Sequence, residues 1–418
     1  MQQVTVVGAG VVGLCTAYFL QHSGYSVLLM DANPPAEGCS KGNAGHFATE
    51  QVFPLADPSL LRQLPALLLQ ANSPLKIRAS YLLKSLPWFC RFIGNMAAAK
   101  QQALQAALSQ LNGPSMASWQ KLATLCQSQD LFCHHGALLV SEHSNQLNLQ
   151  QQYQRYRAAG IDVSLRDQAE TQTLEPLLAN NICGSLDFTE VAHTVDPWLL
   201  CQRIFAAFKA AGGQWLQSKL LTIQSGSPLQ LSTSSSIFNT EQLVICAGAH
   251  SAALTAQLGW RIPLEAERGY HLMAQAVGLS RPVSSLERKF IMTPMQSGLR
   301  LAGTAEFSGL DAAPDFHRAH MLLQHARSLL STAIEPTKPA SVWYGNRPSL
   351  PDSLPVLGPC PAHAGVHYNF GHQHLGLTQA AYSAELICQS LHGNLPQGKL
   401  APYRIDRFGP YRHQKKQA

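Results

Sequence analysis

The chain has 418 residues, of which 46% are hydrophobic and 13% charged, with a formal net charge of +6. One hydrophobic core rarely grows past about 250–300 residues, so two cores are expected, and the composition excludes a disordered chain. The basic residues are scattered without a run of five, which argues against a nucleic-acid partner, and the terminal HQKKQA reads as a solvated tail.

The first charged residue is Asp31, and the apolar stretch before it has the look of a signal peptide or a membrane span. It lacks a basic leader, however, and Gly8, Gly10, Gly13 and Gly24 interrupt it. The chain therefore reads as soluble and cytoplasmic. Val4 to Val7 predict a short buried strand, and Val11, Leu14, Cys15, Tyr18 and Phe19 carry helical spacing up to Ser23. Gly24 marks a helix stop, and Tyr25 to Met30 predict a second strand ending at Asp31.

Between strand and helix stands Gly-x-Gly-x-x-Gly at Gly8, Gly10 and Gly13. Gly8 permits a tight turn, Gly10 lets the backbone approach a pyrophosphate, and Gly13 lets helix and strand pack closely. The helix N-terminus offers free N–H donors and a positive dipole end. Asp31 is placed to accept from ribose hydroxyls. Strand, helix, second strand and acid together predict dinucleotide binding.

Leu55 to Met96 is rich in Leu and aromatics and carries only basic charges after Asp57. Two readings stay open there: two or three buried helices, or an interfacial surface that meets a membrane or a quinone. Farther on, HHGALLVSE and KFIMTPMQSGLRLAG predict strands, and NQLNLQQQYQRYRAAG predicts a helix ended by glycine. The ten cysteines contain no Cys-x-x-Cys pair and several lie in apolar runs, as small core residues do in a reducing compartment. Near the C-terminus, NFGHQHLGLT places His372 and His374 two positions apart, ahead of the helical run TQAAYSAELICQSL. Spacing alone leaves a metal-ligand pair and a glycine-punctuated turn both open. No Asp or Glu lies close by to complete a metal site, and none is expected.

Seven segments occur in an order that resembles the glycine/D-amino-acid oxidase and dehydrogenase family of FAD enzymes. They are VVGAGVVG, SKGNAGH, VICAGAHS, ERGYHLM, GLRLAGTAEF, GNRPSLPDSLPVLG and FGHQHLGLTQA. The resemblance implies an α/β fold: a discontinuous Rossmann-like FAD-binding domain and a substrate domain built on a mixed β-sheet. We expect the first at residues 1–125, 186–255 and 350–418, and the second at 126–185 and 256–350.

It also implies the site. FAD contacts are expected from Gly8, Gly10, Val11, Val12, Gly13, Asp31 and Ala32. The turn Ser40, Gly42, Asn43, Ala44 and Gly45 is expected beside the ring system. Leu220, Ala247, Gly248, Arg347, Gly371, His374, Gly376, Leu377 and Thr378 complete the set. Arg347 matches the arginine that anchors substrate carboxylate in glycine oxidase, its alternative being a structural ion pair. Tyr270, His374 and His46 are the other candidate catalytic residues, with His271 expected beside Tyr270 at the substrate pocket and Arg268 and Arg300 in supporting roles. The family's glycine oxidase has a tyrosine where this chain has Ile291 and an arginine where it has His374. Both departures argue against glycine or sarcosine and for a larger side chain or ring, as in D-proline or hydroxy-D-proline. Expected partners are a small D-amino acid or imino acid and a quinone-like electron acceptor, with peripheral membrane contact through residues 55–96. An oxygen-using oxidase and a non-catalytic flavoprotein subunit are the alternatives.

Overall fold

The computed structural model describes residues 2–61, 73–142 and 147–409. The β-branched run QVTVV forms the strand Gln3–Val7, with Val4, Thr5 and Val6 fully buried. It is a central strand of a six-stranded sheet in the order 214–217, 26–31, 3–7, 242–245, 366–370, 356–359. All neighbours run parallel except the last pair. A parallel sheet must be covered on both faces. One face carries the helices Val11–His22, Pro197–Ala210 and Gly376–Leu391, which bury Leu14, Leu20, Leu200, Ile204, Ala380 and Ile387 together. On the other face, Val7, Met30, Ile245 and Tyr368 pack on Leu229 and Leu231 of a three-stranded meander spanning 220–240.

The turn after the first strand is shaped by the absence of side chains. Gly8 has φ +106°, a left-handed backbone that glycine adopts without steric cost. A Cβ on Gly13 would lie 1.7 Å from the Gly8 carbonyl oxygen, so helix and strand approach more closely than any side chain permits.

The second sheet has nine strands, with 336–349, 265–274, 298–307, 290–295, 283–285, 137–141, 184–188 and 164–167 in order and 75–77 added beside 298–307. Along Glu265–Ala274, the residues Tyr270, Leu272 and Ala274 face a core capped by the helix His317–Leu329. The alternate residues face the first domain, where His271 meets Gly42. The strands at 75–77 and 184–188 extend this large sheet across positions expected in the dinucleotide domain. A small three-stranded sheet, His46–Phe47, Ala192–Thr194 and Phe132–Cys133, includes the turn that carries His46.

Within the basic apolar region, residues 62–72 lie outside the described residues. The helix Leu82–Gly94 is not the buried element that the first reading expects. It buries Ser85 and Trp88 but leaves Leu82, Leu83, Leu86 and Ile93 between 47% and 83% exposed. Among the described residues no helix is long and apolar enough to cross a membrane. All ten cysteines are free thiols, six of them buried.

The glycine geometry predicts that Gly13→Ala costs about 1–3 kcal/mol of stability through overpacking, and lowers the flavin recovered per chain. Gly24→Ala strains only a positive φ of +93° with open space around it. It should lower the melting temperature and leave flavin content unchanged. Thermal melts with absorbance at the flavin band separate the two.

Candidate active site

Three open glycines mark the cleft at the carboxyl ends of the parallel strands, where such sheets bind ligands. A Cβ on Gly10 would meet only Ser40 Oγ at 3.2 Å, one on Gly376 only His372 Cβ at 3.9 Å, and one on Gly248 nothing within 4 Å. Ser40 Oγ accepts from Val11 N at 2.8 Å, which fixes the loop after the second strand over the first helix, ahead of Val12. Asp31 accepts from Ala9 N at 2.8 Å with one carboxylate oxygen and from Asn33 N at 3.0 Å with the other. Its remaining lone pairs stay available beside exposed Ala32. Leu220 follows the strand that runs beside Asp31 and buries its side chain with Val7 and Met30.

The helix Gly376–Leu391 has no side-chain cap and no acidic residue in its first turn, so its positive end is bare. Thr378 Oγ1 accepts from Ala48 N at 2.9 Å, and Trp119 Nε1 donates to Leu377 O at 2.8 Å. These bonds hold the helix start against the segment after His46. Glycine cradle, acid at the second strand and bare helix start suit an extended dinucleotide carrying two phosphates and an electron-rich ring.

The His-x-His turn resolves into two different environments. Gln373, between the histidines, has φ +52°, and its side chain donates to Leu350 O at 2.7 Å. That left-handed residue prevents the pair from sharing a strand face. His374 Nε2 lies 2.8 Å from Gln51 Oε1, whereas His372 is buried and its Nε2 has no partner among the described residues. Gly371, with φ +87°, packs against Leu350, a conformational role. Among the described residues no group of three or more His, Cys, Asp or Glu is placed to hold a metal ion.

Opposite this end lies the inward face of the large sheet. Its register places Ile291, Ala302, His271 and Trp343 in one row across four strands, all on the same face. Next along the sheet come the paired glycines Gly269 and Gly345, then Glu267 paired with Arg347. Arg347 lies flat over Gly269, where a Cβ would sit 2.0 Å from its Nη2. It donates to the Glu267 carboxylate and, at 3.2 Å, to Thr304 O. Thr304 has φ +62°, a strained conformation for a β-branched residue, and it turns its carbonyl toward Arg347.

The turn Gly42–Gly45 is held on both sides. His271 Nδ1 lies 3.0 Å from Gly42 O, Trp343 packs on the face of Gly42, and buried Arg300 donates to Lys41 O and Asn43 O. Asn43 Oδ1 accepts from Gly45 N at 2.8 Å across Ala44. Burial lowers the Arg300 guanidinium to about 10, and it lowers His271 to about 3 and His374 to about 4, so both rings are neutral at neutral pH. His46 forms a buried pair with Glu50, Nε2 to Oε1 3.0 Å.

Tyr270 is the one candidate catalytic residue that the structure places elsewhere. It lies on the opposite face of its strand from His271, donates to buried Glu306 and accepts from Asp315 N at 2.9 Å. Arg268, on the same far face, donates to Ala312 O at 2.8 Å and clamps the loop 309–313. Glu50, Gln51, Glu267 and Trp343 join the site although their motifs did not mark them as site residues, whereas His271, expected beside Tyr270 at the pocket, does face it. The alternation of Tyr270, Leu272 and Ala274 carried the signal for His271, because the intervening residues must face the other way.

A crevice beyond a parallel sheet, closed by a mixed sheet bearing an arginine, suits a two-domain dinucleotide-binding enzyme. Residues 3–390 match the DAO family, described as FAD dependent oxidoreductase, and the chain belongs to it. The chain is 30% identical to a D-amino-acid oxidase of Bradyrhizobium diazoefficiens over 416 residues, covering 97% of this chain and 99% of the relative. It is 30% identical to D-amino acid dehydrogenase 2 of Ralstonia nicotianae, covering 97% and 100%. Its fold is similar to that of glycine oxidase from Geobacillus kaustophilus, with a TM-score of 0.77 at 20% identity over 98% of this chain and 100% of that one. L-proline dehydrogenase from P. horikoshii gives 0.74 at 14% identity, covering 97% of each chain. The protein is an FAD-dependent oxidoreductase.

Burial sets the acid limit of this structure. Desolvation lowers His193, His367 and His374 to about 4, and His271 and His372 to about 3. Each binds a proton in the unfolded chain below about pH 6.5 but not in the native one. Stability should therefore be constant from pH 8 to 7 and fall from pH 6.5 toward 4, by up to about 1.4 kcal/mol per pH unit for each histidine. Denaturant midpoints measured across that range check the sign; a flat profile to pH 4 would contradict it.

Proposed function

We propose that the chain oxidises a D-amino acid at its α-carbon, with a cyclic or bulky substrate such as D-proline or hydroxy-D-proline, and passes the electrons to a quinone-like acceptor. The observation that carries this reading is Arg347 held flat over Gly269 on the sheet face that bears Ile291 and His271. Arg347 receives the substrate carboxylate as a fork of parallel donors, and Glu267 with Thr304 O keeps the fork from turning away. Fixing the carboxylate positions the α C–H bond, and positioning is the main contribution a protein makes to such a transfer. FAD, when bound, supplies the two-electron acceptor. Neutral His374 and apolar Ile291 line the side-chain end, and neither offers a second cation. The two relatives that match at 30% identity over nearly the whole chain carry the names D-amino-acid oxidase and D-amino acid dehydrogenase, which supports the same substrate class.

The exposed apolar face of Leu82–Gly94, flanked by exposed Lys84 and Arg91, supports contact with an anionic membrane surface, where a lipid-soluble acceptor resides.

Anaerobic flavin bleaching, screened over D- and L-amino acids, D-proline, hydroxyprolines, glycine and sarcosine, tests the substrate class. Bleaching by L-isomers alone would overturn it. Comparing a quinone-like dye with oxygen as acceptor separates dehydrogenase from oxidase. Arg347→Ala should lower kcat/KM by about 30- to 4,000-fold, the 2–5 kcal/mol of a truncated, partly buried charge pair, with flavin retained. Gly269→Ala should displace the same guanidinium and give a smaller loss in the same direction. Leu83→Glu with Leu86→Glu should release the protein from anionic vesicles in cosedimentation without changing dye-coupled turnover. Unchanged binding would place the membrane contact elsewhere.

A further inference from the structure

The small three-stranded sheet carries a row of polar residues that the reading above does not use. Its antiparallel register sets His46 opposite His193, and His193 opposite Cys133, so the three side chains share one face. The other face is apolar, with Phe47 stacked on Phe132 at 5.0 Å. Beyond His46, the row continues to Glu50 at 3.0 Å. His46, Glu50 and His193 are all buried, at 9%, 6% and 1% exposure. Each nevertheless keeps one polar atom without a partner among the described residues: His46 Nδ1, Glu50 Oε2 and His193 Nδ1. A buried polar atom left unpaired costs about 1–3 kcal/mol, and a water bridging such neighbours offsets that cost.

The row has an outer and an inner end. Outside, His193 and Cys133 line an open cavity of about 440 Å³ with Leu131, Met295 and Gln296. Inside, Glu50 precedes Gln51, which holds His374, and His46 follows the turn that Arg300 and His271 clamp. By position the row lies between the outer cavity and the turn beside the site, with His46 and His193 paired across the strands.

The reaction produces a proton that must travel this distance. A substrate ammonium loses one N–H proton, and that bond's electron pair becomes the nitrogen lone pair. The lone pair forms the C=N bond as the α C–H bond leaves with its electron pair as hydride, for which bound FAD would supply the two-electron acceptor. The product is the iminium ion, and the N–H proton is left over. We propose that Glu50, His46 and His193 form a relay that carries this proton from the substrate amine to the outer cavity. The proposal rests on the amino-acid oxidation proposed above. A neutral imidazole accepts on one nitrogen while releasing from the other, and so suits a relay. Burial, together with neighbouring His46, His135 and His134, holds His193 neutral by lowering it to about 4. The other charged and titratable groups around the row are Cys133 and Asp130 at the cavity, with Tyr156 and His374 facing Glu50. Asp130 is committed to Arg203, which leaves no second acid at the outer end of the row among the cavity's lining residues.

The test is the anaerobic rate of flavin reduction by a D-amino acid that bleaches the wild-type holoenzyme, measured against pH. His193→Phe should slow reduction by about tenfold or more at neutral pH, the lower range for a lost proton-transfer group. The deficit should vanish above the pKa of the substrate amine, where no proton remains to be moved, and added imidazole should restore part of the rate through the cavity. His193→Asn, smaller and polar but unable to relay, should behave alike and guards against a packing defect. Wild type should show a solvent deuterium isotope effect at neutral pH that both variants alter. A deficit that is equal at all pH values, or rates and isotope effects within twofold of wild type, would overturn the relay. If no D-amino acid bleaches the wild-type flavin, the substrate reading fails instead, which keeps the two failures distinct.

Discussion

The structure depends on one clamped turn. Lys41 to Gly45 leaves the dinucleotide domain and is gripped by the large sheet through Arg300 on two carbonyls, His271 on a third, and the Trp343 ring on Gly42. Carbonyls buried at a domain junction must find donors, and here every donor named comes from the opposite domain. Trp343 also stacks on His271, with centroids 5.1 Å apart. One contact set thus aligns two sheets built from remote parts of the chain. Among the described residues, the buried Arg300 charge has no hydrogen-bonded carboxylate to offset it. It is held by carbonyl dipoles and the Met273 sulfur, and burial lowers its pKa accordingly.

Local features of the site were legible in the sequence because their physics is local. The glycines at 8, 10 and 13 announce a turn, a close approach and a helix packed on a strand, and their neighbours supply each of these. The helix from Gly376 and the acid at Asp31 follow from periodicity and position. What stayed hidden depends on strand phase and on distant pairing. The motif ERGYHLM names residue types, and a shift of one position exchanges the faces of a strand. Tyr270 and His271 were therefore separable only through the alternation around them, and a register irregularity between Arg268 and Tyr270 blurs that alternation. The pairing of His46 with His193 joins segments about 150 residues apart through two strands of two and three residues. Runs that short carry no readable period.

The same logic explains the helix Leu82–Gly94. Composition alone allowed a buried or an interfacial helix, since both need Leu and aromatics. The arrangement shows which residues of the helix point inward. Ser85 and Trp88 form the inward stripe, with Trp88 stacked on Phe92 and set against Phe307 of the large sheet, while the leucines turn outward. A helix that buries a serine and exposes leucine is inverted relative to water. Its pattern leaves an apolar face on the outside of the described chain.

The site's electrostatics suit a substrate that is itself a zwitterion. Arg347 and Glu267 form a neutral pair, so the free site does not bury an isolated cation, whose desolvation would be costly. A bare carboxylate would meet Glu267 as well as Arg347. An amino acid brings a cation of its own near the carboxylate, and the combination adds no net charge to the cleft. Neutral His374 in place of an arginine removes the second cation that would otherwise favour an anionic side chain. On the role proposed for Arg347, the charges around it favour a zwitterion with an uncharged side chain or ring, by balancing charge more than by attracting it.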